Sequence, residues 1–211
     1  MRPGGIGRPG REPPASDVPR PGRGYQVARQ SGVGEPEVVY RGQFLEFVRQ
    51  PFGAGHWEYI RRAGQCGVVF IYAVTPDDQV VLIRQFRPPL GAEAWELPAG
   101  VRDRGGEAAQ ECALRELIEE TGYRASSMEF LTRGPVAAGS SATVGEILLA
   151  GGLEYVGPDG GDELFPIHVS LVARRELVDW VRERVANDEL VDPRILAAHC
   201  LAETRLGTGE D

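Results

Sequence analysis

Gly100-Val-Arg-Asp-Arg-Gly-Gly-Glu107-Ala-Ala-Gln-Glu-Cys-Ala-Leu-Arg115-Glu116-Leu117-Ile118-Glu119-Glu120-Thr121-Gly122-Tyr123 is the stretch on which the reading of this chain turns. Ala109, Cys112, Ala113 and Leu117 recur at helical spacing, so a helix is expected over Glu107–Thr121, with Gly122 in the C′ position where left-handed backbone ends a helix. Glu116 and Glu120 lie four apart and share one face, as do Arg115 and Glu119. Three carboxylates within five residues repel one another unless cations sit among them. Arg115 can balance one, and a hard divalent cation with oxygen ligands, Mg²⁺ or Mn²⁺, would balance the others. On this spacing alone a solvated acidic helix face is the commoner explanation.

Composition narrows the field. The chain has 211 residues and a formal net charge of −8. The acidic balance argues against a general nucleic-acid binder, which needs basic surface. No apolar run approaches the ~20 residues of a membrane span, and the opening Met1-Arg-Pro-Gly-Gly-Ile-Gly-Arg-Pro-Gly has no apolar signal region, so a cytoplasmic protein without membrane association is expected. All 23 basic residues are Arg, for which codon usage in a GC-rich genome is the simplest account. The chemical consequence stands regardless: lysine nucleophiles, Schiff bases and a P-loop are excluded. Cys66, Cys112 and Cys200, and His56, His168 and His199, are too scattered to show a zinc or catalytic-triad pattern.

Residues 1–36 are rich in Gly, Pro and Arg and lack Leu, Phe and Trp, so a disordered tail is expected. Short strands are expected at Val38–Tyr40, Phe44–Val48 and His56–Arg62, with a turn at Gln50–Gly53. Val68–Val74 reads as a buried central strand, and Val80–Phe86 as its returning hairpin partner after the turn residues Thr75–Asp78. Further strands are expected at Ala94–Leu97, Met128–Arg133, Glu146–Ala150 and Pro166–Leu171, and closing helices at Val172–Val185 and Pro193–Thr204. The mixture predicts an α+β layered domain.

The full spacing from Gly100 to Tyr123 resembles the Nudix box, Gly-x5-Glu-x7-Arg-Glu-U-x-Glu-Glu-x-Gly-U with U an apolar residue. The match is complete from Glu107 onward. Six residues, not five, separate Gly100 from Glu107, an insertion in a loop where length is best tolerated. The resemblance implies a Nudix α/β/α sandwich with a mixed sheet over residues 64–211. It also implies Mg²⁺-dependent hydrolysis of a nucleoside diphosphate linked to another moiety, Mn²⁺ being able to substitute. Glu116 and Glu120 would be metal ligands, with Glu119 completing the acidic cluster, Glu119 and Glu120 serving catalysis, and the carbonyl of Ala99 coordinating. Glu107 and Arg115 would form a structural salt bridge. Metal ions would polarise the phosphoryl oxygens, neutralise developing charge and help form the attacking hydroxide.

Flanking residues sharpen the resemblance. Arg84-Gln-Phe-Arg87-Pro-Pro89, Trp95-Glu-Leu-Pro-Ala-Gly100 and His56-Trp57-Glu58-Tyr59 are similar to the ADP-ribose and ADP-sugar pyrophosphatase branch. That branch implies that Trp57 stacks on adenine, Glu58 hydrogen-bonds the base edge, Arg87 reaches the phosphates or terminal ribose, and Arg62 is a second such cation. It implies Glu163, with Asp162 as its rival, for orienting or deprotonating the attacking water. It also implies that residues 37–63 form an N-terminal antiparallel dimerisation sheet, making the protein a homodimer with sites near the interface. Val136-Ala-Ala-Gly139-Ser-Ser141 keeps the glycine of the branch's Pro-Gly, while Ala138 stands where the proline is expected, so UDP-glucose or GDP-mannose is the nearest rival substrate to ADP-ribose. Hydrolysis of oxidised nucleotides or coenzyme A fits the flanking residues less well. A ligand-sensing or interaction module has no need of Glu116, Glu119 and Glu120 together.

Overall fold

The computed structural model describes residues 31–65, 67–157 and 164–206. Its first element is an antiparallel meander of β1 (Glu37–Arg41), β2 (Leu45–Phe52) and β3 (Gly55–Arg62). β2 continues through Gln50 and Pro51, where a turn was expected, because Pro51 pairs with His56 and the reversal falls at Gly53, at φ 57°. Val33 bridges Phe52, and the Gly34 N–H donates to the Pro51 carbonyl at 2.9 Å.

Two four-stranded sheets follow. The first is built on β4 (Val68–Ala73), flanked by β7 (Ala99–Val101) and β9 (Val144–Tyr155), with β8 (Tyr123–Pro135) outside β9. β9 runs parallel to β4 and the other pairings are antiparallel, so the sheet is mixed. Every residue of β4 is buried, as its continuous apolar run predicts. Val68, Phe70 and Tyr72 enter one core and Val69, Ile71 and Ala73 the other, the two-residue alternation of a strand with both faces covered. The second sheet orders β10 (Ile167–Ala173), β5 (Gln79–Arg87), β6 (Ala92–Glu96) and β11 (Leu190–Val191). The expected β4–β5 hairpin therefore closes only at its base, where Val74 bridges Val80. Beyond that bridge the strands part, β4 taking six parallel pairs with β9 and β5 seven antiparallel pairs with β10.

Helix α1 (Ala109–Thr121) covers one face of the first sheet with Ala109, Cys112, Ala113 and Leu117, the four residues that mark its period. Gly122 ends it at φ 74°, its N–H donating to the Ile118 carbonyl. The helix begins two residues later than expected. The Glu111 carboxylate accepts from the Ala108 N–H at 2.9 Å, which caps the first turn and leaves Glu107 in the preceding loop. On the other side α2 (Leu177–Ala186) contributes Leu177 and Val181, and α3 (Arg194–Leu206) contributes Ile195, Ala198 and Ala202. Val172 and Ala173, expected at the start of α2, instead finish β10 against Val80 and Gln79. The outcome is the α/β/α layering of an α+β domain.

Candidate active site

The box folds as strand, loop and helix, and this brings its two ends together. β7 is held against β4 by the Val68–Val101 and Phe70–Ala99 pairs, which sets Gly100 beside α1. A Cβ on Gly100 would lie 2.0 Å from the Glu116 Cγ and 2.2 to 2.3 Å from its carboxyl group, so only glycine lets this carboxylate lie against the strand. One turn further on, the Glu120 carboxylate accepts the Ala99 N–H at 2.9 Å and is only 8% exposed. The two carboxylates thus flank the edge of β7.

Arg115 organises the remaining acids. Its Nε and Nη2 donate to the Glu107 carboxylate at 3.2 and 3.3 Å, and its Nη1 donates to Glu116 at 2.7 Å and to Glu119 at 2.9 Å. Hydrogen bonding from Arg115 holds the Glu107 carboxyl below the usual carboxylate range. Burial alone would lower the Arg115 pKa, but hydrogen bonding to Glu107 and the neighbouring Glu116 and Glu119 outweigh it and raise it. Cys112, beneath them, has its thiol pushed up to about 12, first by burial and then by Glu107 and Glu116.

Arg115, Glu116, Glu119 and Glu120 line a cleft of about 810 Å³. Ala99, Arg62 and Arg87 reach it too, so the structure gathers there seven residues marked in the sequence. Arg87 is bound to Glu96 through Nε at 2.8 Å and through Nη2. Trp57, Glu58 and Gly139 stand outside the lining. Trp57 Nε1 donates to the Gly139 carbonyl at 2.9 Å, which joins two of them to each other, and the Trp57 side chain is otherwise 58% exposed. Glu58 contacts Arg49 and His56 on the N-terminal sheet. Glu107 lies behind Arg115. Glu163 and Asp162 fall outside the described residues.

Several cleft residues carried no sequence assignment. Arg104, in the loop with the extra residue, lies 3.7 Å from Glu119. Gln85 and Glu96 sit on the β5 and β6 wall, and Ser140, Ser141 and Thr143 on the loop before β9. Asp192 and Arg194 come from the start of α3. Gln85 and Glu96 stood within quoted motifs. Asp192 was legible as a helix-capping residue, since it accepts the Arg194 N–H at 2.8 Å.

Among the described residues the lining sets five arginines against six carboxylates. A diphosphate would add further negative charge, so this cleft suits it only with additional cations. Among the described residues no three His, Cys, Asp or Glu side chains converge as a metal cage. Mg²⁺ does not require one, since it is commonly held by one or two carboxylates with water and substrate phosphates. Glu116 and Glu120, all-oxygen donors on either side of a Cβ-free glycine, fit that ion.

Residues 65–160 match the sequence profile of the NUDIX domain. The chain carries a NUDIX domain. Over 110 residues, 46% of this chain and 50% of the relative, it is 50% identical to the ADP-sugar pyrophosphatase of Mus musculus. Over 119 residues, 54% of this chain and 62% of the relative, it is 34% identical to the ADP-ribose pyrophosphatase of Bacillus subtilis (strain 168). These alignments span about half the length of the curated relatives. The crystal structure of an ADP compounds hydrolase superposes with a TM-score of 0.66 at 26% identity, covering 82% of this chain and 92% of that one. The carboxylates around Gly100 are therefore the box of a NUDIX domain, in a fold shared with that hydrolase.

Proposed function

We propose that this protein is a divalent-metal-dependent hydrolase of nucleoside diphosphate sugars, with ADP-ribose the preferred substrate and AMP and ribose 5-phosphate the products. The observation that carries the proposal is the pair of carboxylates, Glu116 and Glu120, set about Gly100 and Ala99 with Arg115 behind them. The names of the relatives support the choice of an ADP-linked sugar.

Glu116 and Glu120 would hold the ion, for which Mg²⁺ is the choice. A bound divalent cation supplies charge neutralisation and Lewis acidity toward the phosphoryl oxygens. The chain's own residues supply the rest. The Ala99 N–H fixes one oxygen of Glu120, and Arg115 fixes Glu116 and Glu119, so the carboxylates are ordered before substrate arrives. Arg62 faces the cleft as a cation for the diphosphate, and Arg87, whose charge Glu96 already balances in part, as a hydrogen-bond donor to the phosphates or the terminal ribose. Glu163 is assigned the proton of the attacking water. Trp57 offers an exposed ring for the adenine, with Glu58 beside it in sequence. Because Ala138 replaces the expected proline, UDP-glucose and GDP-mannose are the alternative substrates.

A homodimer is part of this reading. Tyr40, at 68% exposure, and Phe44, at 69%, stand on or beside the N-terminal sheet, an apolar surface that a second copy would cover. Among the described residues no helix is long and apolar enough to cross a membrane; a cytoplasmic location belongs to the proposal.

Purified protein with Mg²⁺ and a panel of ADP-, UDP- and GDP-sugars tests the function. AMP and ribose 5-phosphate are expected from ADP-ribose, and absence of turnover across the panel overturns the proposal. Glu120→Gln is expected to lower kcat by at least ~100-fold with the fold retained, and a near wild-type rate would remove Glu120 from the site.

A further inference from the structure

Arg194 reaches the cleft from the side of the central sheet opposite α1, and it is held there at several points. Its Nε donates to both oxygens of Asp192, at 2.9 and 2.8 Å, and its Nη2 donates to Asp192 Oδ2. The Asp192 side chain is only 10% exposed and is itself anchored, since the Asp192 N–H donates to the Trp95 carbonyl at 2.9 Å beside the parallel pairing of Val191 with Trp95. The guanidinium carbon stands 4.0 Å from the centroid of the Phe70 ring. These contacts occupy Nε, Nη2 and one face of the guanidinium. Nη1 has no protein acceptor among the described residues, and the side chain remains 33% exposed in the cleft lining.

The chemistry of such a group differs from that of an unpaired arginine. A bidentate carboxylate already neutralises its charge, which leaves it a weak attractor of phosphate but a rigid hydrogen-bond donor that loses little freedom on binding. Its natural partner is a neutral oxygen. This wall also offers no face on which a base could stack: Phe70 is the only aromatic residue in the described lining, and Arg194 covers it. Gln85 and Glu96, elsewhere in the lining, are polar.

We propose that Arg194 is a specificity-determining residue that donates through Nη1 to a hydroxyl or ring oxygen of the sugar carried on the diphosphate, with Asp192 and Phe70 as positioning residues. The inference rests on the reading of the cleft as a nucleoside diphosphate sugar site, and it adds the group that reads the sugar.

The test is steady-state kinetics of the full chain with Mg²⁺ on ADP-ribose, with ADP, which lacks the sugar, as a competitive inhibitor. Arg194→Ala is expected to raise KM for ADP-ribose by about 10- to 100-fold, with kcat within about threefold and the ADP inhibition constant unchanged. Arg194→Lys keeps the charge and much of the packing but lacks the fork, and is expected to show the same loss; it also serves if the alanine variant unfolds. Parallel increases in KM and in the ADP constant, or no change in either, would overturn the assignment while leaving the hydrolase reading intact. If the wild-type protein neither binds nor hydrolyses any sugar of the panel, the hydrolase reading fails and the inference fails with it.

Discussion

The indole Nε1 of Trp57 donates to the carbonyl of Gly139, 82 residues away, at 2.9 Å. Nearby, the Ile60 N–H donates to the Ser140 carbonyl, and the Ala142 N–H to the Ile60 carbonyl, each at 2.9 Å. The N-terminal sheet is thus fastened to the loop that closes one side of the cleft. The polar edge of Trp57 serves this fastening, while its ring remains exposed.

Trp57→Phe and Trp57→Ala separate these two parts. The phenylalanine variant keeps a ring and loses the donor, so it is expected to lose about 1 kcal/mol of stability in denaturant titration with KM for ADP-ribose nearly unchanged. The alanine variant also loses the stacking face, worth about 1–3 kcal/mol per base. It is expected to raise KM for ADP-ribose more than for UDP-glucose. An equal effect on both substrates would dissociate Trp57 from the base.

Gly100→Ala places a methyl group on the Glu116 carboxyl, which must then leave the edge of β7. A loss of kcat of at least ~100-fold is expected, comparable to removal of a catalytic electrostatic contact. Because Glu116 is a flexible side chain, the melting temperature should change little. A melting temperature that falls in step with activity would show a folding effect instead.

His199 gives stability a pH dependence. It lies on α3 with Nδ1 2.8 Å from the Tyr72 hydroxyl and 3.8 Å from Glu203, one turn along the same helix, and with Arg174 beyond Glu203. Burial lowers its pKa, Glu203 opposes that shift and Arg174 adds to it. The unfolded chain therefore binds this proton more readily than the native protein. The stabilisation is complete above the unfolded value of about 6.5 and is lost as pH falls from there through the depressed native pKa. Melting temperatures recorded from pH 8 to pH 5 should fall, and His199→Gln should flatten that slope.

Cys112 is buried, with its thiol pushed up to about 12. Iodoacetamide at pH 8 should leave it unmodified in the native protein and label the exposed Cys200. Peptide mass spectrometry reads both sites, and native-state labelling of Cys112 would contradict the packing under Arg115.

What could be read from the sequence was what neighbouring residues decide. The period of α1, the glycine that ends it and the continuous burial of β4 are written within a few residues, and so is the sharing of one helix face by Glu116 and Glu120. The parting of β4 and β5 was not legible, because β9, which draws β4 away, first pairs with it at Gly145, opposite Val68. The same holds for Trp57, whose neighbours in sequence say nothing of Gly139. Asp192 and Arg194 stand two apart in a short Asp-Pro-Arg run, but only the fold of Phe70 beneath them turns that run into part of a cleft.

The parallel pairing of β4 with β9 has a consequence for how the protein acquires activity. Between the two strands lie β5, β6, β7, the entire box and β8, so the sheet under α1 closes only when segments some 75 residues apart have met. Contacts of such sequence separation form late and slowly, because loop closure must precede the energy they return. During synthesis, the glutamate helix emerges before the strand that completes its platform. Catalytic competence should therefore appear in one late step of refolding, together with protection of the β4 and β9 amides from hydrogen exchange.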